Sequence, residues 1–139
     1  MGRILAIDYG TKRTGIAVTD ILQIVPGGLT TVQTSQLETF LADYFRKETV
    51  DTIVVGLPRN MNGEDSESMK YIRPFVNRLE SAYPDKEIVM YDERFTSVLA
   101  HQAILQSGIG KMARRNKALV DEISATIILQ SYMDSRKKL

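Results

Sequence analysis

The chain predicts an α/β fold, a mixed five-stranded sheet with helices on both faces, on three observations. Two short apolar runs near the N-terminus, Ile4-Leu5-Ala6-Ile7 and Ile16-Ala17-Val18, are joined by a Gly-containing turn, the pattern of a hairpin. A continuous, mostly β-branched run, Thr52-Ile53-Val54-Val55-Gly56-Leu57, has the composition of a central strand covered on both faces. Helical and strand-like periods then alternate along the rest of the sequence.

Taken in order, the first strand covers residues 3–9 and the second Thr14 to Thr19. A third runs from Leu29 to Gln33, after a turn or bulge at Pro26-Gly27-Gly28. Ser35 is placed to cap the next helix, and Glu38 three residues on completes a capping box. Leu37, Phe40, Leu41 and Tyr44 share one face of that helix. The β-branched strand follows. A polar loop from Pro58 to Asp65 then leads to a helix from about Ser66 to Tyr83, with Met69, Ile72, Phe75, Val76 and Leu79 at helical spacing and Pro74 as a local perturbation. Glu87 to Tyr91 makes the fifth strand. Thr96 or Ser97 caps a short helix through Leu105, which Ser107-Gly108-Ile109-Gly110 ends. The last helix runs from about Asn116 into the tail. The order β-β-β-α-β-α-β-α-α describes one domain over residues 1–139.

Composition narrows the function. The values of 43% hydrophobic and 25% charged residues are those of a globular chain. With no Cys there is no thiolate nucleophile or Cys-based zinc site, and the single His101 leaves little room for a His-rich metal centre or a Ser-His-Asp triad. No apolar run reaches the ~20 residues of a membrane span. The N-terminal sequence lacks the apolar stretch of a signal peptide, so the expected compartment is the cytoplasm. From Lys111 onward seven basic residues face three acids, a local charge of +4, while the preceding part carries −3. A basic segment beside acids suits a polyanion held near bound metal, although a solvated helix face and basic tail would give the same count.

Three acids are candidates for that site. Asp8 ends the first strand, Glu93 follows the fifth, and ligands of such sheets gather beyond the C-terminal ends of parallel strands. Asp121 shares a stripe of the last helix with Ser124, Ala125 and Ile128, small enough in part to let that helix approach the sheet. Asp8-Tyr9-Gly10-Thr11 and Arg13 could hold a metal and bring backbone close to a phosphate; an ordinary Asp-Gly turn is the alternative. This segment also resembles the first phosphate loop of the actin, Hsp70 and sugar-kinase superfamily, but 139 residues cannot supply the two domains that enclose ATP there. Gly56-Leu57-Pro58-Arg59-Asn60-Met61-Asn62-Gly63 could contact a sugar-phosphate backbone or simply connect strand to helix. Asp92-Glu93-Arg94 packs two acids and an Arg at a strand end, which is costly unless they are paired or metal-bound.

Four motifs occur in order: Asp-x-Gly-x-x-Arg-x-Gly-x-Ala from Asp8, Val-Val-Gly-Leu-Pro at Val54, Asp-Glu-Arg-x-Thr-Ser from Asp92, and Val-Asp-Glu-Ile-Ser-Ala-Thr-Ile-Ile-Leu-Gln from Val120. Together they closely resemble the bacterial YqgF/RuvX family over essentially the whole chain, from Arg3 to about Met133. Ser124 departs from the Ala usual there, a change small enough to keep the packing. The resemblance implies a ribonuclease H-like fold and a nuclease related to Holliday junction resolvases, with a role in maturing the 5′ end of the small-subunit ribosomal RNA precursor. It implies metal-dependent phosphodiester hydrolysis, in which Asp8, Glu93 and Asp121 ligate one or two Mg²⁺ or Mn²⁺ ions. Lys12, Arg13, Arg59, Asn60, Arg94, Lys111, Arg114, Arg115 and Lys117 are the expected nucleic-acid contacts. The expected partner is structured RNA, bound by a monomer or homodimer. A resolvase acting on branched DNA and a non-catalytic nucleic-acid-binding protein are the alternatives.

Overall fold

A computed structural model describes residues 2–57, 67–92 and 117–137. Five strands, β1 (Arg3–Asp8), β2 (Arg13–Thr19), β3 (Pro26–Gln33), β4 (Val50–Leu57) and β5 (Glu87–Asp92), form one sheet in the order β3-β2-β1-β4-β5. The first three pair antiparallel, as short connections require. β4 and β5 run parallel to β1, because α1 (Leu37–Lys47) and then α2 (Met69–Ala82) carry the chain back to the starting edge. A long helix, α3 (Lys117–Lys137), completes the described fold. The mixed five-stranded sheet expected from the sequence is the one observed.

Strand alternation sorts the core into two layers. Leu5 and Ile7 of β1, Ile16 of β2, and Ile53, Val55 and Leu57 of β4 pack against Leu37 and Leu41 of α1 and Met69, Ile72, Phe75, Val76 and Leu79 of α2. Their neighbours Ile4, Ala6, Ala17 and Val54 point the other way, onto Ala125, Ile128, Leu129, Tyr132 and Met133 of α3. Those α3 positions recur at three and four residues, so one stripe of the helix covers the sheet. Each fully buried Ile or Leu contributes roughly 1.5–3 kcal/mol. Both faces are therefore covered, which is why β4 reads as an unbroken apolar run.

Several local expectations differ from the structure. β3 begins at Pro26, not Leu29, and Pro26, Gly27 and Gly28 pair with Thr19, Val18 and Ala17. The bulge lies one step later: Thr30 faces Ile16 and Gly28 faces Ala17, leaving Leu29 as the extra residue. A proline is tolerated because β3 is an edge strand. Ser35 does not cap α1; it lies inside a 3₁₀ turn (Thr34–Gln36), and the cap position falls to Gln36 without a side-chain bond. Glu38 accepts instead from Arg78 Nε of α2 at 2.9 Å. α2 begins at Met69 and runs through the exposed Pro74. The polar loop after Leu57 and the short helix expected from Thr96 or Ser97 lie outside the described residues. Among those described, no helix is long and apolar enough to cross a membrane.

Candidate active site

Asp8 is the last residue of β1 and shares the parity of Ile4 and Ala6, so it faces α3. Its β2 partner is Gly15. A Cβ at Gly15 would overlap the backbone carbonyl oxygen of Asp121, so α3 rests directly on β2 at this point. The close approach that the small residues of the last helix predicted is thus supplied mainly from the strand side, by a glycine. A glycine inside a strand is a recognised mark of close backbone approach, and that signal was available in the sequence.

Two carboxylates meet here. Asp8 is pushed up to about 6, first by desolvation and then by the negative charge of Asp121. Near neutral pH it is therefore mostly ionised, at a cost. Asp121 in turn accepts from Arg13 Nε at 2.8 Å. Arg13, an expected nucleic-acid contact, is paired here with one of the expected metal ligands.

The turn after Asp8 is braced from two sides. Tyr9 packs its ring on Phe75 of α2, with centroids 4.9 Å apart. Thr34 donates its hydroxyl to the Gly10 carbonyl at 2.5 Å and its backbone N–H to Lys12 O at 3.0 Å. Having given that hydrogen away, Thr34 can only accept from the buried Thr14 hydroxyl, 2.9 Å from it. Gly10 sits so tightly on the Arg13 carbonyl that a side chain there would overlap it. Sequence reading missed Thr14 and Thr34, since a Thr at a strand end carries no local mark of such a role.

Across the sheet, Ile7 lies level with Val55, Val55 with Met90, and Leu57 with Asp92. The C-terminal ends of β1, β4 and β5 are thus at one edge of the sheet, with Asp8 and Asp92 on it. Glu93, Arg59, Asn60, Arg94, Lys111, Arg114 and Arg115 lie outside the described residues, and Lys117 is the first residue of α3. Among the described residues, no group of three or more His, Cys, Asp or Glu side chains could hold a metal ion. The two acids that are brought together nevertheless fit a hard divalent cation. Their donors are all oxygen, and a cation would relieve both the desolvation of Asp8 and its repulsion by Asp121.

The chain is similar to known proteins over nearly its whole length. Residues 2–135 match the family model described as RuvX, Holliday junction resolvase. A protein of Porphyromonas gingivalis named "Putative pre-16S rRNA nuclease" is 64% identical over 135 residues, covering 97% of this chain and 98% of its own length. One of the same name from Phocaeicola vulgatus is 62% identical over 137 residues, covering 99% of each. Among solved structures, the fowlpox virus resolvase in complex with its Holliday junction DNA superposes with a TM-score of 0.59 at 12% identity, over 96% of this chain and 98% of that one. At that identity the likeness concerns the fold alone, which is ribonuclease H-like. The chain belongs to the RuvX family of Holliday junction resolvases, a family of nucleases.

Proposed function

We propose that this protein is a metal-dependent nuclease that hydrolyses phosphodiester bonds in structured RNA, processing the 5′ end of the 16S rRNA precursor in the cytoplasm. The observation that carries the reading is the seating of Asp121 on Gly15, the strand partner of Asp8. It holds one carboxylate beside another that is already desolvated. Such a pair is unfavourable unless a cation joins it. Glu93 is assigned the third carboxylate because it follows β5, whose C-terminal end shares the sheet edge with that of β1. Mg²⁺ or Mn²⁺, as one or two ions, suits an all-oxygen donor set. When bound, such ions supply an activated water and charge stabilisation at the leaving oxygen of an in-line displacement.

The chain's own residues hold and orient. Asp8 and Asp121 fix the position of the charge, and the braced Tyr9–Lys12 turn keeps Asp8 in place. Lys12, exposed at that turn, contacts backbone phosphate with Arg13. Arg59, Asn60, Arg94, Lys111, Arg114, Arg115 and Lys117 extend the phosphate track. The shared name of the relatives supports the rRNA substrate. The description of the family favours a second reading, cleavage of branched DNA.

Cleavage of a 16S rRNA precursor fragment and of a four-way DNA junction, side by side with Mg²⁺ or Mn²⁺, separates the readings. The expected result is metal-dependent cutting of the precursor, abolished by Asp8→Asn with the fold retained. Asp8→Asn protein that cuts as fast as wild type would overturn the site. Faster, symmetric nicking of the junction would favour the resolvase reading.

A further inference from the structure

Arg13 is the first residue of β2, and its backbone is held on both sides. It pairs with Gln33 of β3, and Gly10 packs on its carbonyl. The side chain is freer: 42% of it is exposed, against 20% for its partner Asp121. The bond to Asp121 uses Nε–H alone, leaving the other four guanidinium N–H groups uncommitted to that carboxylate. Arg13 therefore neutralises Asp121 from its more exposed side, while the charge of Asp121 still bears on Asp8. A half-exposed ion pair of this kind is weak and easily exchanged.

We infer that Arg13 is a resident counter-cation, which competes with the divalent ion for Asp121 and, once displaced, turns its guanidinium to a substrate phosphate. The inference rests on the metal reading above. Two effects act in one direction. The ion must break the Arg13–Asp121 bond, and while Arg13 stays close its positive charge repels the incoming one. Displacement then frees a planar fork suited to phosphate beside the exposed Lys12. Ion and phosphate binding are thereby coupled: each favours the state in which Arg13 has left Asp121. Arg13 on this account first sets how readily the site loads and then binds phosphate.

The test is calorimetric titration of Mn²⁺ into wild type, Arg13→Gln and Arg13→Lys, with no substrate present. Arg13→Gln is expected to bind Mn²⁺ about fivefold more tightly than wild type, and Arg13→Lys, which keeps the charge, within about twofold of it. A second readout is the salt dependence of binding to a short phosphorothioate RNA. With Mn²⁺ saturating, the slope for Arg13→Gln should be shallower than wild type by about one phosphate contact; without Mn²⁺ the two slopes should agree. Unchanged or weaker Mn²⁺ binding by Arg13→Gln, or a slope difference that persists without Mn²⁺, would overturn the role of Arg13 alone. Wild type that binds no Mn²⁺ would overturn the metal reading, and this proposal with it.

Discussion

The backbone carbonyl of Asp121 occupies the space into which a side chain on Gly15 would project. Because Gly15 is the β2 partner of Asp8, this one contact sets the distance between two carboxylates 113 positions apart in sequence. Gly15→Ala should therefore act on stability and site together. Neither backbone is the far end of a flexible side chain, so α3 must shift. A loss of about 3 kcal/mol in urea unfolding is expected, at the upper end of overpacking costs. Mn²⁺ affinity should fall as well. An Ala variant as stable as wild type would show that α3 does not rest on β2 here.

Asp8 makes the site a cost to the metal-free protein, and the sign can be worked out. Its folded pKa is about 6, above the ordinary 3.8, so the folded state binds the proton more tightly than the unfolded one. The contribution of Asp8 to stability is then greatest below about pH 4 and is lost as pH rises through about 6. A shift of two units corresponds to about 3 kcal/mol. Asp8→Asn removes that slope: without metal it should match wild type near pH 4 and be up to about 3 kcal/mol more stable above pH 7, although inactive. Added Mg²⁺ should raise the melting temperature of wild type above pH 6 and leave that of the variant nearly unchanged. Thermal melts across pH, with and without Mg²⁺, check both statements.

The Thr34 hydroxyl joins the buried Thr14 hydroxyl to the Gly10 carbonyl. Thr34→Val keeps the shape and breaks both bonds, stranding a buried donor. A loss of about 2 kcal/mol is expected. The turn after Asp8 would also loosen, so cleavage should fall by more than the stability loss explains. Thr34→Ser restores the hydroxyl and should recover most of both. Equal cleavage rates for the Val and Ser variants would remove Thr34 from any part in positioning the site.

The sheet was legible because its signals are local: β-branched runs, a short hairpin link, and helical spacing in α1 and α2 all agree with the final topology. Even the direction of Asp8 follows from its parity with Ile4 and Ala6. What sequence could not supply were the long-range pairings. Arg13 reads as a phosphate contact because it sits in a Gly-rich turn beside Lys12, yet its carboxylate partner lies on another element. Glu38 reads as half of a capping box because Ser35 precedes it by three, but a 3₁₀ turn swallows Ser35 and Glu38 turns to Arg78 of α2. For Glu38 the local rule lost to a partner that only the fold provides; for Arg13 the fold adds a partner that its turn does not foretell.

Asp20 gives a pH response of opposite sign, far from the site. It follows β2 and accepts backbone N–H bonds from Ile24 and Val25 at 2.8 Å each and from Leu22 at 3.1 Å. Those bonds, Val25 and Ile24 foremost, hold its carboxyl below the usual value. The connection thus keeps a fixed shape, with Gln23 at φ 59° and its amide donating to Gly2 O at 2.7 Å. It does so while presenting Ile21, Leu22, Ile24 and Val25 to solvent. A lowered carboxyl contributes order above its unfolded pKa and loses it as pH falls through the folded one. Hydrogen exchange at the Leu22, Ile24 and Val25 amides should therefore show protection at neutral pH that fades on acidification. Asp20→Ala should abolish it at every pH while leaving exchange in β1 and β4 unchanged. Protection of these three amides that survives Asp20→Ala would mean that another group holds the loop.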